Sequence, residues 1–282
     1  MRSPSSGRPA PPVSEAAVLR DVVAAVRSVT GVDLTGYRAE TVLRRTAQHA
    51  AAAGGDVRDF AAGLAGDPVR ARALLEAVLV QCTGWFRDER TWQVLAEEVL
   101  PRLAAGGRPL TAWSAGCGDG REVWSLASLL QVVAPDRWRL VASDLSGTAR
   151  LAAAAAVYAG GPVVGDTHAA TVLGATAERG PGGWRVGAAL RSRVTVLRHD
   201  VRTPPPDAVG PAGCDVLLCR NVLMYLDDSE QERALDHLLG ALRPGGVVVL
   251  GEAEVALGHR DVLVPVDLAA RVYRLIATPV AG

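Results

Sequence analysis

Three groups of residues in this 282-residue chain are typed and spaced for chemistry. The first is the run Ser114-Ala115-Gly116-Cys117-Gly118-Asp119-Gly120, which follows the apolar stretch Leu110–Trp113 and precedes a helical pattern. Glycine at the carboxyl end of a first parallel strand lets a ligand approach the backbone closely. The spacing is G-x-G-x-G, not the G-x-G-x-x-G that seats a pyrophosphate, and any tight strand-to-helix turn also favours glycine. The second is Asp144, about 20–25 residues further on, where a carboxylate can accept hydrogen bonds from both ribose hydroxyls of an adenosine. A helix N-cap is the other role open to it. The third is a set of polar residues at the ends of later strands. His199-Asp200-Val201 follows Val194–Arg198, and Arg220-Asn221 follows Val216–Cys219. Such positions face the crevice in which open α/β sheets bind ligands.

These residues need a sheet to hold them. Leu110–Trp113, Arg139–Ala142, Val194–Arg198, Val216–Cys219 and Val247–Leu250 are short apolar or β-branched runs. Helical stretches lie between most of them, at Glu122–Val133, Ser146–Ala156 and Glu230–Leu242. The alternation predicts an α/β fold, a doubly wound and mostly parallel sheet with helices on both faces. Segment 159–190 is rich in glycine and small residues and reads as an irregular insertion; 202–213, with three consecutive prolines, reads as a surface loop. Leu242-Arg243-Pro244-Gly245-Gly246 reads as a turn with glycine ending a helix. The first 80 or so residues have a different rhythm. Four helical patterns, from Ser14, about Tyr37, Val57 and Pro68, predict a small bundle with short glycine-containing connections.

Composition narrows the chemistry. The formal net charge is zero, so no basic excess is available to neutralise nucleic-acid phosphates or an anionic membrane. All 30 basic residues are arginine, which excludes lysine Schiff bases, the P-loop ammonium and Tyr-x-x-x-Lys catalysis. Cys82, Cys117, Cys214 and Cys219 have no C-x-x-C spacing, and the histidines have no metal-ligand spacing, so no metal site is expected. The cysteines read as small buried hydrophobes in a reducing compartment. Met1–Pro12 reads as a disordered tail, neither signal peptide nor anchor, and no apolar run reaches membrane-spanning length. A cytoplasmic monomer is expected.

Four strings, in order along the chain, carry a family resemblance. They are Thr83-Gly84-Trp85-Phe86-Arg87-Asp88, Trp113-Ser114-Ala115-Gly116-Cys117, Gly120-Arg121-Glu122-Val123-Trp124-Ser125 and Cys219-Arg220-Asn221-Val222-Leu223-Met224-Tyr225. Together they resemble the chemotaxis-receptor methyltransferases, CheR-type enzymes that methylate glutamates on receptor signalling helices. The resemblance implies a Rossmann-like class I methyltransferase domain over 110–282, a helical domain over 13–80, and a linker and helix over the cofactor site at 81–109. It implies S-adenosylmethionine as cofactor and S-adenosylhomocysteine as product. Gln81, Thr83 and Arg87 match a segment that folds over the cofactor, Ala115 and Gly116 its glycine loop, and Glu122 a motif acid. Asp144 matches the ribose ligand, Asp200 and Val201 the frame of adenine, and Asn221 and Val222 the contacts after the fourth strand. Arg87 and Tyr225 match positions beside the transferred methyl group. In the helical domain, Arg38, Arg44, Arg45 and Arg58 resemble a receptor-docking face.

The pattern also departs from the family. Gln81 stands for asparagine, Trp85 for phenylalanine, Arg121 for the first motif acid and Val123 for its proline. Gly251-Glu252-Ala253-Glu254 stands for Gly-His-Ser-Glu, and the insertion lacks a Tyr-Phe pair before Trp184. The acceptor expected from the resemblance is a chemoreceptor-like protein or another protein or peptide. A methyltransferase of small molecules or biosynthetic peptides, and a non-catalytic cofactor-binding regulator, are the alternatives.

Overall fold

Valines at four-residue spacing make the first helix. Val18, Val22 and Val26 form the buried stripe of α1 (Glu15–Thr30), and Gly31 ends it in the left-handed region at φ 71°. α2 (Ala39–Ala52) buries Val42, Thr46 and Ala50, and α3 (Val57–Gly63) buries Phe60 and Ala61. α4 (Pro68–Val78) buries Ala71, Leu74, Leu75 and Val78. The computed structural model describes residues 14–79, 83–159, 174, 177–180, 182–256, 258–259 and 261–276. The chain divides into two units, Met1–Val78 and Leu79–Gly282, and α1–α4 make the first.

The second unit opens with α5 (Glu89–Val94), a π-turn over Leu95–Val99 and α6 (Leu100–Ala105). Its other helices are α7 (Arg121–Val133), α8 (Gly147–Ala155), the single turn α9 (Ala188–Arg191) and α10 (Asp228–Gly240). Its strands are β1 (Leu110–Ala115), β2 (Trp138–Asp144), β3 (Val157–Tyr158), β4 (Glu178–Gly180) and β5 (Gly183–Arg185). They continue as β6 (Val194–Arg198), β7 (Cys214–Cys219), β8 (Leu242–Leu250), β9 (Leu263–Asp267) and β10 (Val272–Leu275).

Seven strands form one sheet in the order β6-β2-β1-β7-β8-β10-β9. The pairs β1/β2, β2/β6, β1/β7 and β7/β8 are parallel, and β10 runs antiparallel to both β8 and β9. The chain winds outward from β1 to β2 and β6, then restarts beside β1 with β7. The topological switch point therefore lies between β1 and β7, and the ligand crevice of such a sheet lies above their carboxyl ends. This is the Rossmann-like arrangement with an antiparallel edge pair. Every residue of β1 and β7 is buried, as two-sided parallel strands require. α7 buries Val123 through Leu130 without a break, because the helix packs on more than one neighbour. A fully buried leucine such as Leu126 or Leu130 contributes about 1.5–3 kcal/mol relative to exposure.

The structure differs from the sequence reading in three places. Leu242–Gly246 is not a turn but the start of β8, which carries a register irregularity against β7 and a left-handed Gly245 at φ 80°. The edge pair β9/β10 went unread, since Pro265 and Arg274 interrupt both runs. The described part of segment 159–190 is not wholly irregular: it holds β4 and β5, and β5 pairs antiparallel with both β4 and the preceding β3 in a second, three-stranded sheet. Strands of two or three residues, rich in glycine and arginine, leave no period to read.

Candidate active site

The glycine loop is fixed first by backbone. The N–H groups of Gly116 and Cys117 both donate to the Ser143 carbonyl, at 2.8 and 2.9 Å, which ties the loop to the end of β2. Gly116 and Gly118 have φ of 74° and 55°. A Cβ on Gly116 would lie 2.3 Å from Val222 Cγ2, and one on Gly118 would lie 2.1 Å from Thr83 Cγ2. Other residues are thus excluded by both conformation and contact. Two segments remote in sequence, 83–88 and 221–225, close on this loop.

Asp144 is not the N-cap of α8; Ser146 is, its hydroxyl accepting from Ala149 N–H at 3.0 Å. Asp144 instead accepts from Gly118 N–H at 2.8 Å through Oδ2 and from Ser146 N–H at 2.8 Å through Oδ1. Two backbone donors fix the plane of the carboxylate, and an ionised carboxylate has about four lone-pair positions to offer. The sequence reading of Asp200 needs an addition. Arg202, buried, grips it with Nε to Oδ1 at 3.0 Å and Nη2 to Oδ2 at 2.7 Å. Burial alone would raise the Asp200 carboxyl, but the Arg202 hydrogen bonds and charge outweigh it and hold it below its ordinary value. Val201 is buried beside it.

On the other wall, Glu122 on the first turn of α7 accepts from Ser114 Oγ at 3.4 Å and from Arg220 Nη1 at 3.0 Å. Burial pushes the Glu122 carboxyl above its ordinary value, and the Arg220 charge opposes that rise. Arg220, its side chain 2% exposed, is the hub of the site. Its Nη2 donates to Asp88 Oδ2 at 2.5 Å and to the Arg87 carbonyl at 3.2 Å, and its guanidinium lies 5.8 Å from the Trp92 ring centre. Its Nε is buried with no hydrogen-bond partner among the described residues.

The segment 83–88 is folded against its preferences. Phe86 and Asp88 have φ of 45° and 61°, rare for residues with side chains. Four bonds, one of them the Arg220 bond to the Arg87 carbonyl, hold it there. Phe86 N–H donates to Ser125 Oγ at 3.1 Å, and Trp92 Nε1–H donates to the Arg87 carbonyl at 2.7 Å. Thr83 Oγ1–H donates to Asp119, and Arg220 supplies the fourth. Arg121, the departure from the family acid, pairs with Asp119 at 2.8 Å.

The loop after β7 depends on one buried carboxylate. Glu254 accepts from Gly251 N–H at 2.7 Å and Asn221 N–H at 3.0 Å through Oε2, and from Val222 at 2.8 Å and Met224 at 3.2 Å through Oε1. Asn221 takes the left-handed conformation at φ 60° that asparagine tolerates. Tyr225 follows in a half-buried 3-10 turn.

Thr83, Arg87, Gly116, Glu122 and Asn221 line one cleft, together with Gly84, Cys117 and Arg220. Val222 touches its glycine loop, Ala115 ends the strand beneath it, and Asp144 is bonded to Gly118 in that loop. Asp200 and Val201 stand past the end of β6, the neighbour of β2. Gln81 lies outside the described residues. The sequence set Arg220 at the crevice and showed Asp88 and Glu254 without a role; the ion pairs and loop bonds they make were not legible, because their partners are 98, 132 and 33 residues away. Among the described residues, no group of three or more His, Cys, Asp and Glu gathers as a metal site.

The acceptor set fits a nucleoside carrying an ammonium: one fixed carboxylate, Asp144, at the end of β2 and a second, Glu122, at the start of α7. The family described as "CheR methyltransferase, SAM binding domain" matches residues 81–272. The chain is 34% identical over 199 residues to "Chemotaxis protein methyltransferase 1" of Pseudomonas aeruginosa, covering 64% of this chain and 68% of that protein. It is 29% identical to "Chemotaxis protein methyltransferase 1" of Vibrio cholerae, covering 67% and 70%. A third relative, "Probable biofilm formation methyltransferase WspC" of Pseudomonas putida, is 32% identical, covering 86% of this chain and 58% of that one. This chain belongs to the CheR methyltransferase family and is an S-adenosylmethionine-dependent methyltransferase.

Proposed function

We propose that the chain methylates side-chain carboxylates of glutamates on a chemoreceptor-like partner protein in the cytoplasm. The observation that carries this reading is Arg87. The Glu122–Arg220–Asp88 ion pairs fix its segment, and Arg87 lines the cofactor cleft, where a guanidinium can orient a carboxylate through two hydrogen bonds. The names of the chemotaxis relatives support a protein acceptor. Arg38, Arg44 and Arg58 are exposed on the helical unit, and the resemblance places a receptor-docking face there. No helix among the described residues is long and apolar enough to cross a membrane.

S-adenosylmethionine supplies a sulfonium methyl group open to in-line displacement. In this reading Asp144 accepts from the ribose hydroxyls, Glu122 faces the ammonium, and Asp200 with Val201 frames the adenine. Thr83, Ala115, Gly116, Asn221 and Val222 complete the walls, in line with the 81–109 segment serving as a cover. The acceptor oxygen forms its bond to carbon as the carbon–sulfur bond breaks. No proton moves, so the chain supplies orientation and charge placement instead of a base. Tyr225 borders the path of the acceptor. Arg87→Ala is expected to lower kcat more than it weakens S-adenosylhomocysteine binding; an equal loss of both would move Arg87 from acceptor to cofactor.

The test is transfer of radiolabelled methyl from S-adenosylmethionine into a lysate of the source organism. Label on a protein band, released as methanol by mild base, is the expected result. Label confined to small molecules would replace the receptor reading with a biosynthetic one.

A further inference from the structure

Tyr158 lies outside the cleft lining, yet it meets the cofactor loop, the first turn of α7 and the segment that carries Arg87. It is 5% exposed. Its hydroxyl donates to the Asp119 carbonyl at 2.7 Å and accepts from Trp124 Nε1–H at 3.0 Å. Trp85 packs edge-on against its ring, with centroids 5.0 Å apart and planes at 75°, and the Arg121 guanidinium lies 5.3 Å from the same centroid. Gly120 has φ 91°, and a Cβ there would lie 2.8 Å from Ala153 and 3.0 Å from the Tyr158 hydroxyl. The loop therefore closes directly on this side chain. Tyr158 also belongs to the small sheet: in β3 it is registered against Trp184 of β5, which pairs in turn with β4.

We propose that Tyr158 is a positioning residue for the Gly116–Gly120 loop, and that it links binding at that loop to the order of the three-stranded sheet. The proposal rests on the reading of this loop as the cofactor's. Asp119 is the pivot. Its carboxylate holds Thr83 and Arg121, and its carbonyl is held by Tyr158. One residue thereby touches three things: the cover at Thr83, the entry into α7 that carries Glu122, and the adjoining Gly118, whose N–H orients Asp144. Burial raises the Tyr158 phenol well above its ordinary value, so it remains a proton donor. Linkage is reciprocal: a ligand that orders the loop orders whatever else Tyr158 holds.

The test compares the parent chain with Tyr158→Phe by calorimetry and by amide hydrogen exchange, each with and without S-adenosylhomocysteine. In the parent, S-adenosylhomocysteine should slow exchange in the loop and also in β4 and β5. In Tyr158→Phe, a buried carbonyl and an indole N–H lose their partner, and binding should weaken about fivefold or more. At saturation the variant's loop should still be protected while β4 and β5 are not, and KM for S-adenosylmethionine should rise more than kcat falls. Trp124→Phe, which keeps the hydroxyl bond to Asp119, should retain the link. Exchange in β4 and β5 that ignores the ligand in the parent would overturn the proposal. So would a Tyr158→Phe variant with parental affinity and only a lower Tm, or an equal loss in Trp124→Phe. Failure of S-adenosylhomocysteine to bind the parent at all would overturn the cofactor reading as well.

Discussion

Arg220 carries its charge where water does not reach it, and two carboxylates, a carbonyl and an indole face take the place of solvent. Removing one member of such a set costs far more than a surface pair, because the other charges stay buried. Glu122 shows the consequence. Its value is raised by burial, so the ionised form, which the proposed reading sets against the cofactor ammonium, is lost as pH falls through that raised value. Arg220 lowers it and nearby Glu254 raises it. In Arg220→Met, the decline of S-adenosylhomocysteine affinity on the acid side should therefore shift to higher pH. Titrating the affinity over about pH 5 to 9 checks this, and an unmoved acid limb would remove Glu122 from the ammonium site. The sequence displayed Asp144 and the glycine loop because strand-end position alone marks them. It set Arg220 at the crevice by the same rule but hid its place as the hub of the ion pairs, which depends on partners about a hundred residues away that only the fold brings together.

At the scale of elements, the loop after β7 is held by Glu254, the last residue of a segment whose two preceding positions depart from the family pattern. The departure falls on Glu252 and Ala253, while the acid that accepts four backbone N–H groups is retained. Glu254→Ala should destabilise the unit by about 3 kcal/mol or more, since each buried donor left unpaired costs about 1–3 kcal/mol. Glu254→Gln, with one acceptor oxygen left, should cost less. Thermal melts of the two variants rank them, and equal Tm values would show that the loop does not need the carboxylate. The parallel strands were legible because continuous apolar runs are what two-sided burial demands. The β9/β10 edge and the small sheet were not, since edge strands tolerate Pro265 and Arg179 and need no apolar face.

Over the whole molecule, alternation of strand and helix announced the α/β unit, and valine spacing announced the helical one. Neither pattern could report the paired loops above the sheet, where the site is made. Cys117, Cys214 and Cys219 are buried free thiols, and burial raises all three well above the ordinary thiol value. A thiol reagent should therefore leave them unmodified in the native chain and reach them on unfolding. Rapid native modification at these positions would contradict the packing of β7 and the cofactor loop. The central claim is that the carboxyl end of this sheet holds S-adenosylmethionine through Asp144. Calorimetry of S-adenosylhomocysteine with the parent and with Asp144→Ala tests it most directly. One site in the parent, weakened in the variant by about 1–3 kcal/mol at an otherwise native circular dichroism spectrum, is the expected result. Unchanged affinity in Asp144→Ala would contradict the account and place the cofactor elsewhere.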